Sequence, residues 1–188
     1  FIGGTRRERS LIRAFLDDYA SDEGGGLICQ EIVQTAIAVR EKYQTSQDGA
    51  ELVWTGPSVP SGFRKTQPLL DELIKSAKQE ILIVTYWIRV GGPGAKDSFG
   101  LLVDAARRGV AVTFFLHQSG EAHKIDPNVQ EIEHRWPLGA PPPTVYVSVD
   151  RDPNSKMHVK LIAVDSKVAL IGSANFTSSG LTQNLELG

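Results

Sequence analysis

Residues 157–177 read MHVKLIAVDSKVALIGSANFT, in which two apolar runs flank a short polar stretch. The runs Leu161 to Val164 and Val168 to Ile171 have the length of short strands, which predicts a β-hairpin around the polar residues between them. If Ser166-Lys167 is the loop, Asp165 lies opposite Val168. The alternation of side chains along both strands then determines which polar residues share a face.

This register predicts a polar cluster on one face of the hairpin. It places His158 opposite Asn175 and Lys160 opposite Ser173, and facing residues project to the same side of a sheet. Such a cluster suits a phosphate ester, because Lys160 supplies charge and the hydroxyl and amide donate to non-bridging oxygens. His158 can act as nucleophile or general acid. Gly172 allows a backbone or ligand to approach closely.

The same alternation turns Asp165 away from the cluster, so Asp165 is interpreted as structural rather than catalytic. A single strand histidine is more often structural than catalytic, and lysines at hairpin ends are usually solvated. Six fixed positions would nevertheless coincide by chance in only about a few chains per million. The catalytic interpretation is therefore favoured over the structural one.

The pattern H-x-K-x4-D-x6-G-S-x-N over residues 158–175 resembles the complete HKD motif of the phospholipase D superfamily. Fainter similarity at residues 55–57 and 106–112 extends the resemblance over residues 51–188. It implies a phospholipase D-like domain in which two such motifs share one active site. One histidine attacks phosphorus to form a phosphohistidine, and the other protonates the leaving oxygen and then activates water.

This sequence holds one HKD motif, so the resemblance implies a homodimer in which the two copies of His158 face each other across a two-fold axis. It implies no metal or other cofactor, and His117, His123 and His134 show no zinc-like spacing. Downstream, Glu186 matches the position where the family places a glutamate that orients the catalytic histidine. An exposed strand glutamate is the alternative for that position.

The rest of the chain divides into two parts. Residues 1–46 predict an N-terminal helical segment, and the polar stretch 44–49 marks a domain boundary. From residue 51 to 188, apolar strands such as Glu80 to Ile88 alternate with helical patterns, which predicts an α/β fold. The expected architecture is a mixed, mostly parallel β-sheet flanked by helices. The chain stops two residues after Glu186, where the family normally continues with another strand and helix, so we expect a truncated C-terminus.

Composition and charge indicate the cellular compartment in which the protein is expected. The 188 residues carry a formal net charge of −2, so the chain as a whole does not attract nucleic acid electrostatically. No apolar run approaches the roughly 20 residues of a membrane span. The single Cys29 is interpreted as a buried structural residue, and it fits a reducing compartment. These features predict a cytoplasmic protein without a membrane span.

The substrate is predicted less directly than the chemistry. Small members of the superfamily with one motif resemble bacterial nucleases more than lipid hydrolases, so nucleic acid is the expected substrate. Basic residues near the motif are candidates for phosphate contacts, and aromatic ones for base stacking, although sheet core is favoured for the aromatic pair. These candidates are Lys156, Lys167, Arg151, Arg64-Lys65, Tyr86 and Trp87.

Two other functions stay open at this point. The chain can be a nucleic-acid-binding or scaffolding subunit of a multi-protein complex in which hydrolysis is dispensable. Its layout is similar to the phospholipase D-like subunit of bacterial anti-phage defence systems of the DISARM type. A phospholipase is a further alternative, although no aromatic-rich lipid-binding surface is evident in the sequence.

Overall fold

The structure is a computed structural model that describes residues 50–118, 125–148 and 156–188. The predicted N-terminal helical segment, residues 1–46, lies outside the described residues. Contacts divide the chain into two compact units, and residues 50–53 and 58–64 belong to the first. The second contains Trp54–Pro57 and Lys65–Gly188. The motif residues 158–175 lie in the second unit.

The secondary structure of the described ranges consists of short strands and four helices. The strands are β1 (Val53–Thr55), β2 (Arg64–Lys65), β3 (Glu80–Thr85), β4 (Ile88–Arg89), β5 (Ala111–His117), β6 (Thr144–Ser148), β7 (Leu161–Val164), β8 (Val168–Ile171), β9 (Phe176–Thr177) and β10 (Glu186–Leu187). The helices are α1 (Thr66–Ser76), α2 (Ala95–Arg107), α3 (Pro127–Arg135) and α4 (Ser178–Thr182). Among the described helices, none combines the length and the apolar character that crossing a bilayer requires.

The main sheet has the strand order β6-β5-β3-β7-β8. The pairs β6–β5 and β5–β3 are parallel, whereas β3–β7 and β7–β8 are antiparallel. On the central strand, Ile83 lies beside Phe114 of β5 and Ile162 of β7. The prediction of an α/β fold with a mixed sheet and flanking helices is confirmed, and two of its four strand pairings are parallel.

The core forms where the apolar faces of the helices meet the sheet. Leu70 and Ile74 lie one turn apart on α1 and are fully buried, as expected for an amphipathic helix. Phe99 and Leu102 of α2 join the same cluster as Phe114 of β5. Burial of this apolar surface is the main force that holds the layers together.

The prediction of one continuous strand from Glu80 to Ile88 is wrong. β3 ends at Thr85, whose hydroxyl donates to the Trp87 carbonyl at 3.0 Å. The chain then enters β4, which pairs in parallel with β9 in a separate small sheet. Hydropathy does not reveal the break, because Ile88 is as fully buried as the strand residues before it. The break places Tyr86 and Trp87 at the edge of the main sheet.

The predicted register of the motif hairpin is wrong by one residue. Val164 lies opposite Val168 and Leu161 opposite Ile171, so residues 165–167 form a three-residue loop. The Gly172 amide accordingly donates to the Lys160 carbonyl at 3.2 Å. Lys160 therefore lies beside Gly172 and not, as predicted, beside Ser173.

The longer loop has a physical cause in Asp165. Its carboxylate accepts hydrogen bonds from the backbone amides of Lys78, Gln79 and Glu80 at 2.8 to 3.0 Å. Asp165 and Ser166 both have positive φ, 53° and 52°, which aspartate tolerates better than most side chains. Asp165 thus connects the hairpin turn to the start of β3 and lies away from the polar cluster.

Asp165 also gives a testable pH dependence of stability. The three backbone donors, on Glu80, Gln79 and Lys78, lower the pKa of its carboxyl group. Because the folded-state pKa is depressed, the stabilisation is complete above the unfolded value of about 3.9 and is lost as pH falls through the folded value. We expect Asp165→Asn to unfold at lower urea concentration than the wild type at neutral pH, with the difference shrinking below pH of about 4.

The control for this measurement is Asp104→Asn. Asp104 is exposed on α2 and pairs with Arg107 on the same helix at 3.0 Å, so its replacement should change the urea midpoint little at any pH. Equal effects of the two substitutions across the pH range would show that the Asp165 contacts contribute nothing specific to the fold.

Candidate active site

The motif residues lie at the edge where the parallel strands end. β3 ends at Thr85 and β5 at His117. β7 runs antiparallel to β3, so His158 and Lys160, which precede β7, lie at this same edge. The carboxyl ends of parallel strands are the usual position for ligand sites in open α/β sheets.

Tyr86 connects the ends of these strands. Its ring stacks on His117 with centroids 4.5 Å apart and an interplanar angle of 17°. The Tyr86 ring also meets His158 in an edge contact, with centroids 4.9 Å apart at 61°. The Lys160 ammonium lies 5.6 Å from the Tyr86 ring centroid. Tyr86 therefore supports both motif residues, a role that sequence reasoning missed.

Asn128 fixes the backbone on both sides of the Tyr86–His117 ring contact. It is fully buried, and its amide nitrogen donates to the carbonyls of Tyr86 and His117 at 3.2 and 3.0 Å. Its side-chain oxygen accepts from the Ile88 amide at 3.1 Å. The signal in the sequence was the Asp126-Pro127 helix start, which places Asn128 in the first turn of α3. Only the tertiary structure shows what its amide contacts.

Lys160 is a buried cation. Its side chain is 6% exposed, and Nζ donates to the His158 carbonyl at 2.8 Å. Burial lowers the pKa of the ammonium group below the ordinary lysine value, and the Glu186 carboxylate partly opposes this by raising the same pKa. A positive charge thus lies beside the exposed His158, where an anionic ligand would meet it.

Glu186 interacts electrostatically with Lys160 and also binds two polar side chains. Its carboxylate accepts hydrogen bonds from the Ser173 hydroxyl and, at 3.1 Å, from the Asn184 amide. The Ser173 proton is therefore directed at Glu186, which leaves the hydroxyl no proton for a substrate oxygen in this arrangement. Within the described residues no hydrogen bond joins Glu186 to His158, so the predicted orienting role stays a prediction.

The chain changes partner at Gly172. A Cβ there would lie 2.8 Å from the Leu187 carbonyl oxygen and 3.0 Å from the Gly188 Cα, so only glycine fits. The next residue, Ser173, pairs its amide with the Leu187 carbonyl at 3.0 Å, and its hydroxyl accepts from the Leu187 amide at 3.1 Å. This switch from β7 to the C-terminal segment, and not the predicted hairpin register, brings Ser173 to Glu186.

Asn175 lies in the wall of an open cleft of about 610 Å³. Its Oδ1 atom is buried and has no hydrogen-bond partner among the described residues. A buried acceptor without a partner costs free energy, which distinguishes Asn175 from the other residues of the cleft. The cleft walls also carry Trp87, Arg89 and Arg135.

The predicted substrate contacts fall in different places. Lys156 is exposed and precedes His158 by two residues. Lys167 lies in the hairpin turn, next to the start of β3, roughly 20 Å along the strand from the site, so it does not reach the motif residues. Trp87 lines the cleft with the Arg89 guanidinium 4.0 Å above its ring.

The remaining candidates lie elsewhere in the described ranges or outside them. Arg64 pairs with Glu51 at 3.0 Å in the first unit, and Lys65 is exposed. Arg151 and His123 lie outside the described residues. In the part of the chain that the structure describes, no three His, Cys, Asp or Glu side chains are grouped so that they could hold a metal ion.

Residues 70–188 match the protein family described as "Cardiolipin synthase, PLD-like domain". The DISARM protein DrmC of Bacillus paralicheniformis is 29% identical over 146 residues, which cover 77% of this chain and 58% of DrmC. This chain therefore spans little more than half the length of that relative. Phospholipase D of Rickettsia bellii is 30% identical over 169 residues, which cover 88% of this chain and 74% of the relative.

A solved structure has a similar fold. It is the phospholipase D family member Nuc from Salmonella typhimurium, with a TM-score of 0.51 and 24% sequence identity. The alignment covers 73% of this chain and 78% of Nuc. At this level of identity, the similarity shows a shared fold.

Proposed function

This chain belongs to the family of cardiolipin synthase and phospholipase D-like domains, and from that premise we propose that it is a metal-independent phosphodiesterase, most specifically a nuclease. The observation that carries the proposal is the placement of an exposed His158 beside the buried cation Lys160. A nucleophile next to a fixed positive charge is what attack on an anionic diester requires.

In the proposed reaction, a ring nitrogen of His158 attacks phosphorus and forms an N–P bond while the P–O bond to the leaving group breaks. His158 of the partner subunit gives its proton to the departing oxygen. That same imidazole then takes a proton from water, whose oxygen attacks phosphorus and releases His158. Lys160 stabilises the negative charge on the non-bridging oxygens throughout, since it is held in a desolvated position where its field is weakly screened.

The direct test of this function is hydrolysis in the presence of EDTA. We expect single-stranded DNA and bis-p-nitrophenyl phosphate to be hydrolysed at rates that excess EDTA does not change, because the proposed chemistry uses imidazole and ammonium groups only. The measurement is release of p-nitrophenolate and of shortened oligonucleotides. Activity that disappears in EDTA and returns with a divalent cation would contradict the proposed mechanism.

The shared site has a test of its own in mixed dimers. If each site needs His158 from both protomers, a heterodimer of wild type and His158→Ala is inactive. Equal mixing with free subunit exchange would then leave about one quarter of the wild-type activity, carried by the wild-type homodimers. A site complete within one protomer would leave about one half. The mixing ratio can be checked by mass spectrometry of the assembled dimers.

A second candidate function is that of a nucleic-acid-binding or scaffolding subunit in a bacterial defence complex. The observation that favours it is the similarity to the DISARM protein DrmC. The two functions differ in one measurement: in a phage-plating assay with the complete system, His158→Ala abolishes protection if hydrolysis is required. Protection that survives this substitution assigns the chain to the binding role.

A further inference from the structure

The cleft beside Asn175 contains more positive charge than a single scissile phosphate needs. Arg89 and Arg135 both line it, and the one acidic side chain in its lining is Glu131. This local excess contrasts with the net charge of −2 for the whole chain. Lys160 already supplies a cation at the motif itself, so the charge of the two arginines is available to another ligand group.

Arg89 is held in place before any ligand arrives. Its guanidinium lies 4.0 Å from the centroid of the Trp87 ring, within the range of a cation–π contact, and one nitrogen donates to the Ile88 carbonyl at 2.7 Å. A guanidinium has five N–H donors, so most of them remain for a ligand. Pre-positioning reduces the conformational entropy that binding would otherwise cost. Trp87 is therefore a positioning residue for Arg89.

Arg135 faces the cleft from α3. Its Nε lies 3.7 Å from the Glu131 carboxylate, which is longer than a hydrogen bond, while that carboxylate accepts from the Val90 amide at 2.8 Å. Among the described residues, no hydrogen bond uses the donors of Arg135. Guanidinium groups bind phosphate in bidentate fashion, so each of the two arginines that line this cleft is suited to contact a phosphate.

The rest of the lining favours a nucleotide chain over a lipid. Besides the arginines it is formed mainly by hydroxyl and amide residues, and Trp87 is its one large apolar side chain. A lipid diester has one phosphodiester beside acyl chains, which such a polar cleft would not solvate well. A nucleic acid strand offers further phosphates along its backbone, which the two arginines of the lining can bind.

Resting on the proposed phosphodiesterase function, we infer that this cleft binds a second phosphate of a single nucleic acid strand, next to the one that is cleaved. Trp87 is one residue from Tyr86, which contacts His158, and Asn175 belongs to both the motif and the cleft. The substrate class is thus an oligonucleotide with phosphates on both sides of a nucleoside, and an isolated diester uses only part of the site.

The test measures binding of fluorescein-labelled oligothymidylate by anisotropy, with all variants in the His158→Ala background so that the probe is not cleaved. We expect Arg89→Ala and Arg135→Ala each to weaken binding about tenfold. Each should also reduce the slope of log affinity against log salt by about 0.7. The control Arg107→Ala removes an exposed guanidinium on α2 that pairs with Asp104, and it should change neither quantity.

The second measurement is hydrolysis by variants that retain His158. Loss of kcat/KM in Arg89→Ala and Arg135→Ala should be about tenfold greater for the oligonucleotide than for bis-p-nitrophenyl phosphate. Equal losses on both substrates, or equal weakening by Arg107→Ala, overturn the inference. The inference is also overturned if binding to phosphatidylglycerol vesicles depends on Arg89 and Arg135 while oligonucleotide binding does not. If the protein hydrolyses no diester but its oligonucleotide binding depends on Arg89 and Arg135, the proposed phosphodiesterase function is contradicted and phosphate binding in the cleft is supported.

Discussion

The His158→Ala protein is expected to hydrolyse phosphodiesters at least about 10⁴-fold more slowly than the wild type, because the substitution removes the group that forms the bond to phosphorus. Lys160 and the cleft remain in the variant, so binding of substrate should change much less than kcat. The measurement is steady-state kinetics with bis-p-nitrophenyl phosphate together with oligonucleotide binding.

The matched control for this variant is His134→Ala. His134 is an exposed histidine in the last turn of α3, outside the polar cluster, and its loss should leave kcat within about twofold of the wild type. A fall of only about 10²- to 10³-fold in His158→Ala would indicate general acid–base rather than covalent catalysis by this imidazole. Activity of His158→Ala equal to that of the wild type would contradict a catalytic role for His158.

Lys160→Met is expected to have opposite effects on activity and stability. Loss of one cation aimed at the developing charge should lower kcat by about 10²- to 10³-fold. The same substitution should leave the free energy of unfolding unchanged or raise it. Burial lowers the pKa of Lys160 in the fold, so the charged form is held at a cost at neutral pH. Methionine has a similar apolar stem and carries no charge to desolvate.

The sign of this effect separates a functional lysine from a structural one. If the contact from Lys160 to the His158 carbonyl stabilises the fold more than burial costs, the variant unfolds at lower urea concentration than the wild type. Lys96→Met, at an exposed position on α2, is the control and should change neither kcat nor the urea midpoint. The lowered pKa also means that the Lys160 charge, and with it activity, is lost at lower pH than for a solvated lysine.

Much of the domain follows from local patterns. The family resemblance predicted from the HKD spacing is confirmed by the match over residues 70–188, and the mixed α/β fold is confirmed as well. Hydrophobic periodicity predicts the alternation of strands and helices from residue 51 onward, since amphipathic faces are visible in sequence whatever they later pack against. Gly109 has a φ of 89° just after α2, a backbone conformation in which glycine commonly ends a helix.

Local patterns did not locate the contacts between distant segments. The hairpin register depended on Asp165, which accepts hydrogen bonds from amides more than 80 residues away, at Lys78 to Glu80. The break after Thr85 depended on Asn128 of helix α3, whose side-chain amide forms hydrogen bonds with the backbone of Tyr86 and Ile88. A buried polar group needs its partners wherever they lie in the chain, and no window of sequence contains both.

The sequence by itself therefore determined which residue types carry the chemistry, because their spacing within 18 residues is a local property. It did not determine how they meet. Ser173 reaches Glu186 because Gly172 lets the C-terminal segment approach, and Lys160 is a buried cation with its ammonium 5.6 Å from the Tyr86 ring centroid. The cleft with Arg89 and Arg135 was invisible for the same reason. Proximity, burial and the resulting electrostatics depend on packing between segments, and only the tertiary structure decided them.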